Sequence, residues 1–228
     1  MSDDLEDEVN VVIDFTHSLS LIRYINSMMV PVRLTIRAGV YPSDTAEEIN
    51  FDLTFAKIKY WFGVTVSDSI AFCRSNPLAT GMLLTNDGKQ RLHNHLMITP
   101  CEPTDEHLAV LFQSKLQAIS NDTMNFSYVR IETKANGLVF TYVGDWQVDL
   151  PAMDDWFDTK PYYFDVPWWQ RDDASTMDIL AADADLNQSP PWAYRFDFIE
   201  NAYNPQQLDN VVRGAFKPKI IRGGRTDD

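Results

Sequence analysis

Three histidines have the residue type and spacing that could hold a metal ion. His93 and His95 are one residue apart, so a strand would place both imidazoles on one face, and the fold could bring His17 to them. Three histidines with one open coordination position are sufficient for a catalytic zinc site. The alternative is a pair of loop histidines beside a turn, because Asn86-Asp87-Gly88 comes shortly before them.

Carboxylates supply a second candidate chemistry. Glu132 lies in an apolar stretch between Ile131 and Thr133, where a carboxylate either faces solvent or is buried with a partner. The other acidic side chains are too dispersed to indicate a paired-carboxylate or hard-cation site: Asp14, Asp52, Glu106 and Asp154-Asp155. The chain contains no phosphate-binding loop, G-x-S-x-G or H-E-x-x-H motif.

The cysteines do not indicate a disulfide framework. Cys73 and Cys101 are 28 residues apart and no C-x-x-C pair exists. Isolated thiols of this kind are more often small buried apolar groups in a reducing compartment. We therefore expect two free cysteines.

Alternating and helical patterns predict the elements that position these residues. Thr104 suits a helix N-cap, Asp105 and Glu106 complement the dipole of the first turn, and apolar residues follow at helical spacing as far as Ile119. Another helix is predicted around Phe55, Ile58 and Phe62, and short elements joined by loops over 63–100. Strands are predicted over 9–15, 30–37, 126–133 and 138–143, the last two joined at Asn136-Gly137.

Composition narrows the class of protein. The 228 residues carry a net charge of −14, which makes direct nucleic-acid binding unlikely because phosphate backbones require clustered cations. The acidity indicates either a solubilising surface or an acidic inhibitor that binds a basic enzyme surface. No apolar run reaches the roughly 20 residues that span a bilayer. The acidic start, residues 1–8, is unlike a signal peptide and predicts a disordered arm on a cytoplasmic protein.

The character of the chain changes near residue 150. Between Asp145 and Asp185 there are eleven acids against two bases, interleaved with aromatic residues. We therefore expect an acidic aromatic extension, residues 151–212, packed on a domain formed by residues 9–150. Trp168-Trp169 could stack on a ligand or partner, or pack on that domain. Residues 213–228 predict a flexible basic tail that binds a partner through Arg213, Lys217, Lys219, Arg222 and Arg225.

The order of several short motifs resembles the tunnelling-fold pterin enzymes. Pro103-Thr104-Asp105-Glu106-His107-Leu108-Ala109 is similar to the P-T-x-E-N-L-A helix opening of 6-pyruvoyltetrahydropterin synthase and 6-carboxy-tetrahydropterin synthase. Val129 to Thr133 resembles the family's V-x-V-x-E-T strand, and its glutamate, Glu132, follows Glu106 by 26 residues. Val32 to Ile36 followed by Ile49 to Lys57 resembles the second strand and the turn into a helix. Leu92 to His95 resembles the L-D-H segment.

The resemblance implies both a fold and a partial loss of chemistry. It implies an α+β fold, a four-stranded antiparallel sheet with helices on one face, that oligomerises to close its sheet edges. It implies Glu132 as the anchor of a pterin-like ligand, together with Glu106, and His95 as an acid or base. The family's H-G-H zinc pair is replaced here by Asn26-Ser27-Met28-Met29, and its cysteine is missing.

These departures favour a catalytically degenerate protein over an enzyme. We expect a homo-oligomer without a bound cofactor, acting as a binding or assembly module that also contacts a protein through its C-terminal extension. One alternative is an active synthase of the pterin or 7-deazapurine type, with zinc on His17, His93 and His95. The acidic inhibitor is the other alternative.

Overall fold

The computed structural model describes residues 13–43, 48–77, 96–134, 137–156, 166–178 and 195–203. The acidic arm, His93, His95 and the basic tail lie outside these ranges, so the predictions made for them stay predictions. No helix within the described ranges is long and apolar enough to cross a membrane.

Six strands and two long helices make up the described fold. The strands are β1 (Ile13–Ile25), β2 (Met28–Pro42), β3 (Ile70–Cys73), β4 (Leu96–Thr99), β5 (Met124–Thr133) and β6 (Leu138–Tyr142). The long helices are α1 (Glu48–Tyr60), which continues into a π-helical turn at Trp61–Val66, and α2 (Asp105–Ser120). Shorter helical segments are α3 (Trp146–Asp149), α4 (Met153–Trp156), a 3₁₀ turn at Trp168–Gln170 and α5 (Asp197–Ala202).

The sheet confirms the α+β class but corrects the predicted sheet. The strand order is β4-β3-β1-β2-β5-β6, so the sheet has six strands rather than four. Neighbours β1, β2, β5 and β6 are antiparallel, whereas β3 pairs parallel to both β1 and β4. The two additional strands come from the stretch 63–100, where turn residues obscure two apolar segments of four residues each.

The first hairpin is longer than the sequence pattern indicates. β1 and β2 pair without interruption from Ile13 opposite Val40 to Ile25 opposite Met28. Asn26 and Ser27 form the turn with φ of 51° and 63°, the left-handed conformation that two-residue hairpin loops require. Burial alternates from Val32 to Ala38, which confirms the alternation predicted within 30–37.

One face of the sheet forms the core with the two long helices. Leu34, Ile36, Val129 and Ile131 point toward the helices and are completely buried. The helix predicted after Thr104 is confirmed as α2, and the Thr104 side chain accepts a hydrogen bond from the backbone N–H of His107. The opposite face of β1, β2 and β5 carries polar side chains, and it is there that most of the candidate site lies.

Candidate functional site

The polar face of the sheet collects charged and hydroxyl side chains from three adjacent strands. We define the outer face by these residues: Asp14, Thr16, Ser18, Arg33, Thr35, Arg37, Tyr128, Arg130 and Glu132. Strand register arranges them in cross-strand rows, because residues directly opposite one another share a face. One row runs Thr16, Arg37, Arg130, Thr141, and the next runs Ser18, Thr35, Glu132, Val139.

Arg37 and Arg130 are direct neighbours across the β2–β5 pair. Like charges in this position repel each other. No ion pair or side-chain hydrogen bond joins either guanidinium group to another described residue, and the Nε of Arg130 is buried without a hydrogen-bond partner. The row therefore concentrates positive charge on a chain whose net charge is −14.

A tyrosine and a glycine form the adjacent corner of the outer face. Tyr128 lies opposite Gly39, and a Cβ at Gly39 would come within 2.4 Å of the Tyr128 ring. The Tyr128 hydroxyl donates a 2.7 Å hydrogen bond to Asp14. This hydrogen bond, followed by burial and by the charge of Asp14, raises the pKa of Tyr128. Asp14 thus has a partner on the outer face other than the two arginines.

Glu132, the ligand anchor implied by the resemblance, is half-buried on the outer face opposite Thr35. No described residue forms an ion pair or a side-chain hydrogen bond with its carboxylate. Glu106 lies elsewhere, in the first turn of α2, where it is exposed. A hydrogen bond from its own backbone N–H and one from Thr104 lower the pKa of Glu106. The two glutamates therefore lie on different surfaces: Glu132 on the outer face and Glu106 on the helical side.

An ion pair fixes the start of α2 beneath the sheet. Arg23 is buried at the end of β1, and its Nη2 lies 2.6 Å from Oδ1 of Asp105. Nη2 and Nε of Arg23 have no well-aligned hydrogen bond, so the contact is electrostatic rather than directional. Asp105 also accepts hydrogen bonds of 2.8 and 2.9 Å from the Thr133 hydroxyl. The group links β1, α2 and β5.

His17 lies among aromatic rings. Its imidazole is half-buried on the helical side of β1 and stacks on Phe62 with a centroid separation of 5.5 Å and on Phe15 at 6.3 Å. Burial lowers the pKa of His17. The described residues contain no group of three metal-ligating side chains. His93 and His95 lie outside the described ranges, so the zinc alternative and the assignment of His95 as an acid or base stay predictions.

Trp168 and Trp169 are completely buried. Trp168 contacts Trp61, with ring centroids 6.5 Å apart, and Trp169 contacts Trp156 edge to face at 4.7 Å. Both indoles pack on the domain, which is one of the two alternatives for this pair, and neither exposes surface for the predicted contact with a partner. The remaining residues assigned to partner binding, Arg213, Lys217, Lys219, Arg222 and Arg225, lie outside the described ranges.

A buried charged network that the sequence patterns do not indicate holds residues 166–178 on α2. Lys115 is completely buried, and its Nζ donates to the backbone carbonyls of Trp168 and Arg171, both at 2.8 Å, and to Asp173 at 3.1 Å. Arg171 binds Asp173 and Asp178. Asp178 also accepts from the Trp156 indole at 3.0 Å and from the backbone N–H of Trp168 at 2.9 Å.

The pKa values of Lys115 and Asp173 leave both groups charged at neutral pH. Burial lowers the pKa of Lys115 to about 8, partly offset by Asp173. Burial alone would raise the pKa of Asp173, but the charges of Lys115 and Arg171 and hydrogen bonds from Ser175 outweigh it and lower the pKa to about 2. Each buried charge has an opposite charge and hydrogen bonds, so removal of any one partner would leave an uncompensated buried charge.

The two edges of the sheet differ in what covers them. At β4, Ile98 N–H donates to the carbonyl of Thr176 at 3.0 Å, and the Thr176 hydroxyl and the Trp168 indole donate to the carbonyls of Leu96 and Ile98 at 2.7 and 2.8 Å. At the other edge no described strand pairs with the far side of β6. Val139 is 45% exposed there.

Two cavities open on the described surface. One of about 480 Å³ lies beside the β1–β2 hairpin, and its lining includes Leu21, Val32, Arg33, Asp68 and Lys134. The other, of about 600 Å³, lies between the end of α2 and the docked segment. Neither contains Glu132, Glu106 or His17.

The cysteines lie beside the β3–β4 pair as free thiols. Burial, followed by the proximity of Cys73, raises the pKa of Cys101 to about 11, so it is protonated and unreactive at neutral pH.

Comparison with protein-family models and with curated proteins finds no match to this chain.

Proposed function

We propose that this protein is a non-catalytic binding and assembly module that associates with a second copy of itself through the open edge of β6. The observation that carries the proposal is the contrast between the two sheet edges. The chain covers β4 with its own residues 174–178, whereas β6 has no described cover. Bare strand edges are sites of intermolecular pairing unless they are blocked.

The sequence of β6 lacks the features that block edge pairing. Leu138 to Val143 contains no charged residue, no proline and no glycine. Edge strands that stay unpaired usually carry lysine, proline or a bulge. Val139 is 45% exposed, and Val143, directly after the strand, is 72% exposed, which adds apolar area beside an added strand.

The occupant is a second copy because β6 is complementary to itself. Antiparallel pairing about a two-fold axis at Phe140 places Phe140 opposite its own copy and Val139 opposite Thr141. Every opposed pair is then apolar or neutral, so no like charges face each other. Two-fold pairing of this kind is the commonest form of self-association.

Strand order supports placing this module with the tunnelling fold. Strands β1, β2, β5 and β6 are antiparallel neighbours in chain order, and the long helices α1 and α2 lie between β2 and β5. That is the order the resemblance implies, with the parallel strands β3 and β4 added at one edge. Oligomerisation through sheet edges fits the same proposal.

Sedimentation velocity of the full chain tests the assembly. We expect a dimer at micromolar concentration, and a monomer for Val139→Lys, because a lysine on an edge strand disfavours pairing with another chain. Val148→Lys is the matched control, since Val148 is 78% exposed outside the sheet. A wild-type monomer at 100-fold higher concentration, or equal dissociation by both variants, would contradict the proposal.

One observation favours a pterin- or purine-type ligand as a second candidate. The Glu132 carboxylate is half-buried and has no ion-pair or hydrogen-bond partner among the described residues, so it can accept two hydrogen bonds from a planar amidine-like edge. Quenching of pterin fluorescence by the wild type but not by Glu132→Gln would support this candidate. Equal quenching by both proteins would exclude Glu132 as the anchor.

A further inference from the structure

Arginines 37 and 130 stand out on the outer face because their placement is electrostatically unfavourable for the isolated chain. They project from directly opposite positions of β2 and β5. Directly opposite residues of an antiparallel pair have Cβ atoms about 4.5–5.5 Å apart. Guanidinium groups that project side by side from these positions repel each other, and arginine keeps its charge in proteins.

The carboxylates nearest to this pair do not neutralise it. Asp14 accepts the hydrogen bond of Tyr128, and Glu132, one row along, forms no ion pair with either arginine. The Nε of Arg130 is buried and has no hydrogen-bond acceptor. A buried donor without an acceptor costs free energy, which a bound acceptor would recover.

We propose that Arg37 and Arg130 form a binding site for the phosphate group of a small phosphorylated molecule. A phosphate dianion matches the two positive charges, and its oxygens accept paired hydrogen bonds from guanidinium groups. Thr16 and Thr141 continue the same cross-strand row on each side of the arginines and add hydroxyl donors.

Charge decides between a small molecule and a nucleic acid as the source of the phosphate. The chain carries a net charge of −14, and Asp14 and Glu132 lie on the same face. A nucleic-acid backbone presents many phosphates and requires an extended set of cations. A row of two arginines between hydroxyl groups suits one phosphate group. The neighbouring carboxylates would repel a second phosphate group of the same ligand.

Calorimetric titration of the full chain with inorganic phosphate, at constant ionic strength held with sodium chloride, tests the site. We expect saturable binding to the wild type and at least about tenfold weaker binding to Arg37→Gln or Arg130→Gln, since each substitution removes a charge-assisted pair of hydrogen bonds. Arg33→Gln is the matched control, because Arg33 is an exposed arginine of β2 on the same face. It should bind as the wild type does.

A second readout separates binding from a purely structural role. Because the arginines repel each other, the melting temperature of Arg37→Gln without phosphate should equal or exceed that of the wild type. Added phosphate should raise the melting temperature of Arg37→Gln by less than it raises that of the wild type. Arg37→Gln melting well below the wild type, or phosphate binding abolished by Arg33→Gln instead, would overturn the assignment. The latter result would move the site to the cavity beside Lys134.

The last comparison uses ligands that present the same group. A nucleoside monophosphate should bind at least as tightly as inorganic phosphate, through the same two arginines. Tighter binding of a single-stranded oligonucleotide than of the monophosphate would overturn the small-molecule assignment. None of these results depends on the oligomeric state, because both arginines belong to one chain and pair within its own sheet.

Discussion

The Nζ atom of Lys115 lies 2.8 Å from the backbone carbonyl oxygen of Trp168, 53 residues further along the chain. This contact joins the interior of α2 to a segment that sequence analysis places in a separate extension. The lysine is completely buried, and each of its three hydrogen bonds ends on residues 168–173. Docking of that segment and burial of the lysine are therefore one event.

Replacing this lysine should destabilise the whole protein. Lys115→Met keeps the length of the side chain but leaves two buried carbonyls without their donor and removes one of the cations that bind Asp173. We expect the free energy of unfolding to fall by about 3 kcal/mol, measured by urea denaturation. Lys59→Met, at an exposed position of α1, is the control and should change it by less than about 0.5 kcal/mol. Equal effects of the two substitutions would contradict this role for Lys115.

Acid should weaken the network through Asp173. The pKa of this carboxyl is about 2 in the folded protein against an ordinary value of 3.8, so the folded state binds its proton less readily than the unfolded state. Its contribution to stability is therefore complete above pH 4 to 5 and is lost as the pH falls toward 2. The loss should be on the order of 2 kcal/mol.

Denaturation midpoints between pH 6 and pH 2 check this dependence. The curve for Asp173→Asn should be flatter than that of the wild type over the acid range, because the variant has no carboxyl to protonate. Asp172→Asn, an exposed neighbour, should follow the wild type. Parallel curves for Asp173→Asn and the wild type would show that this carboxylate does not set the acid sensitivity.

The ion pair at the start of α2 gives a third prediction. Asp105→Asn removes the charge that compensates the buried Arg23, 2.6 Å away. Unfolding free energy should fall by about 3 kcal/mol. Thr133→Val removes only the hydroxyl donor and should cost about 1 kcal/mol. Asp122→Asn, in the exposed turn after α2, is the matched control, and a comparable loss there would argue against a specific role for Asp105.

Gly39 should not tolerate a side chain. Gly39→Ala places a methyl group within 2.4 Å of the Tyr128 ring, so the ring must move and its hydrogen bond to Asp14 must weaken. We expect a loss of about 1–3 kcal/mol and a lower Tyr128 pKa in ultraviolet titration. Gly63→Ala is the control, because its nearest contact would be His17 at 3.9 Å. An unchanged tyrosine titration would place Tyr128 away from Gly39.

Local signals predicted the parts of the fold that depend on local interactions. The start of α2 followed from Thr104, Asp105 and Glu106, because capping and dipole effects act within one turn. Alternation predicted which residues of β2 and β5 share a face. Strands β3 and β4 were missed, since each has only four residues and acquires its identity from parallel pairing with a distant segment.

The candidate site depended on register, which the sequence patterns leave open. Nothing in either strand alone indicates that Arg37 lies opposite Arg130, and the register of the two strands also shifts between Gly39 and Val40. Lys115 did leave a signal: it lies four residues after Leu111 and four before Ile119, within the apolar stripe of α2. A lysine in such a stripe indicates a buried partner from elsewhere in the chain.

The cover on β4 has a consequence for how the chain is made. Thr176 and Trp168 reach β4 across 80 and 70 residues, so translation delivers the cover long after the strand it protects. During that interval β4 lacks the cover that Thr176 and Trp168 supply, and Lys115 lacks the carbonyl acceptors of Trp168 and Arg171. A chaperone that holds the chain until residue 178 has left the ribosome would therefore raise its yield, and a message truncated near codon 150 would direct synthesis of an aggregating product.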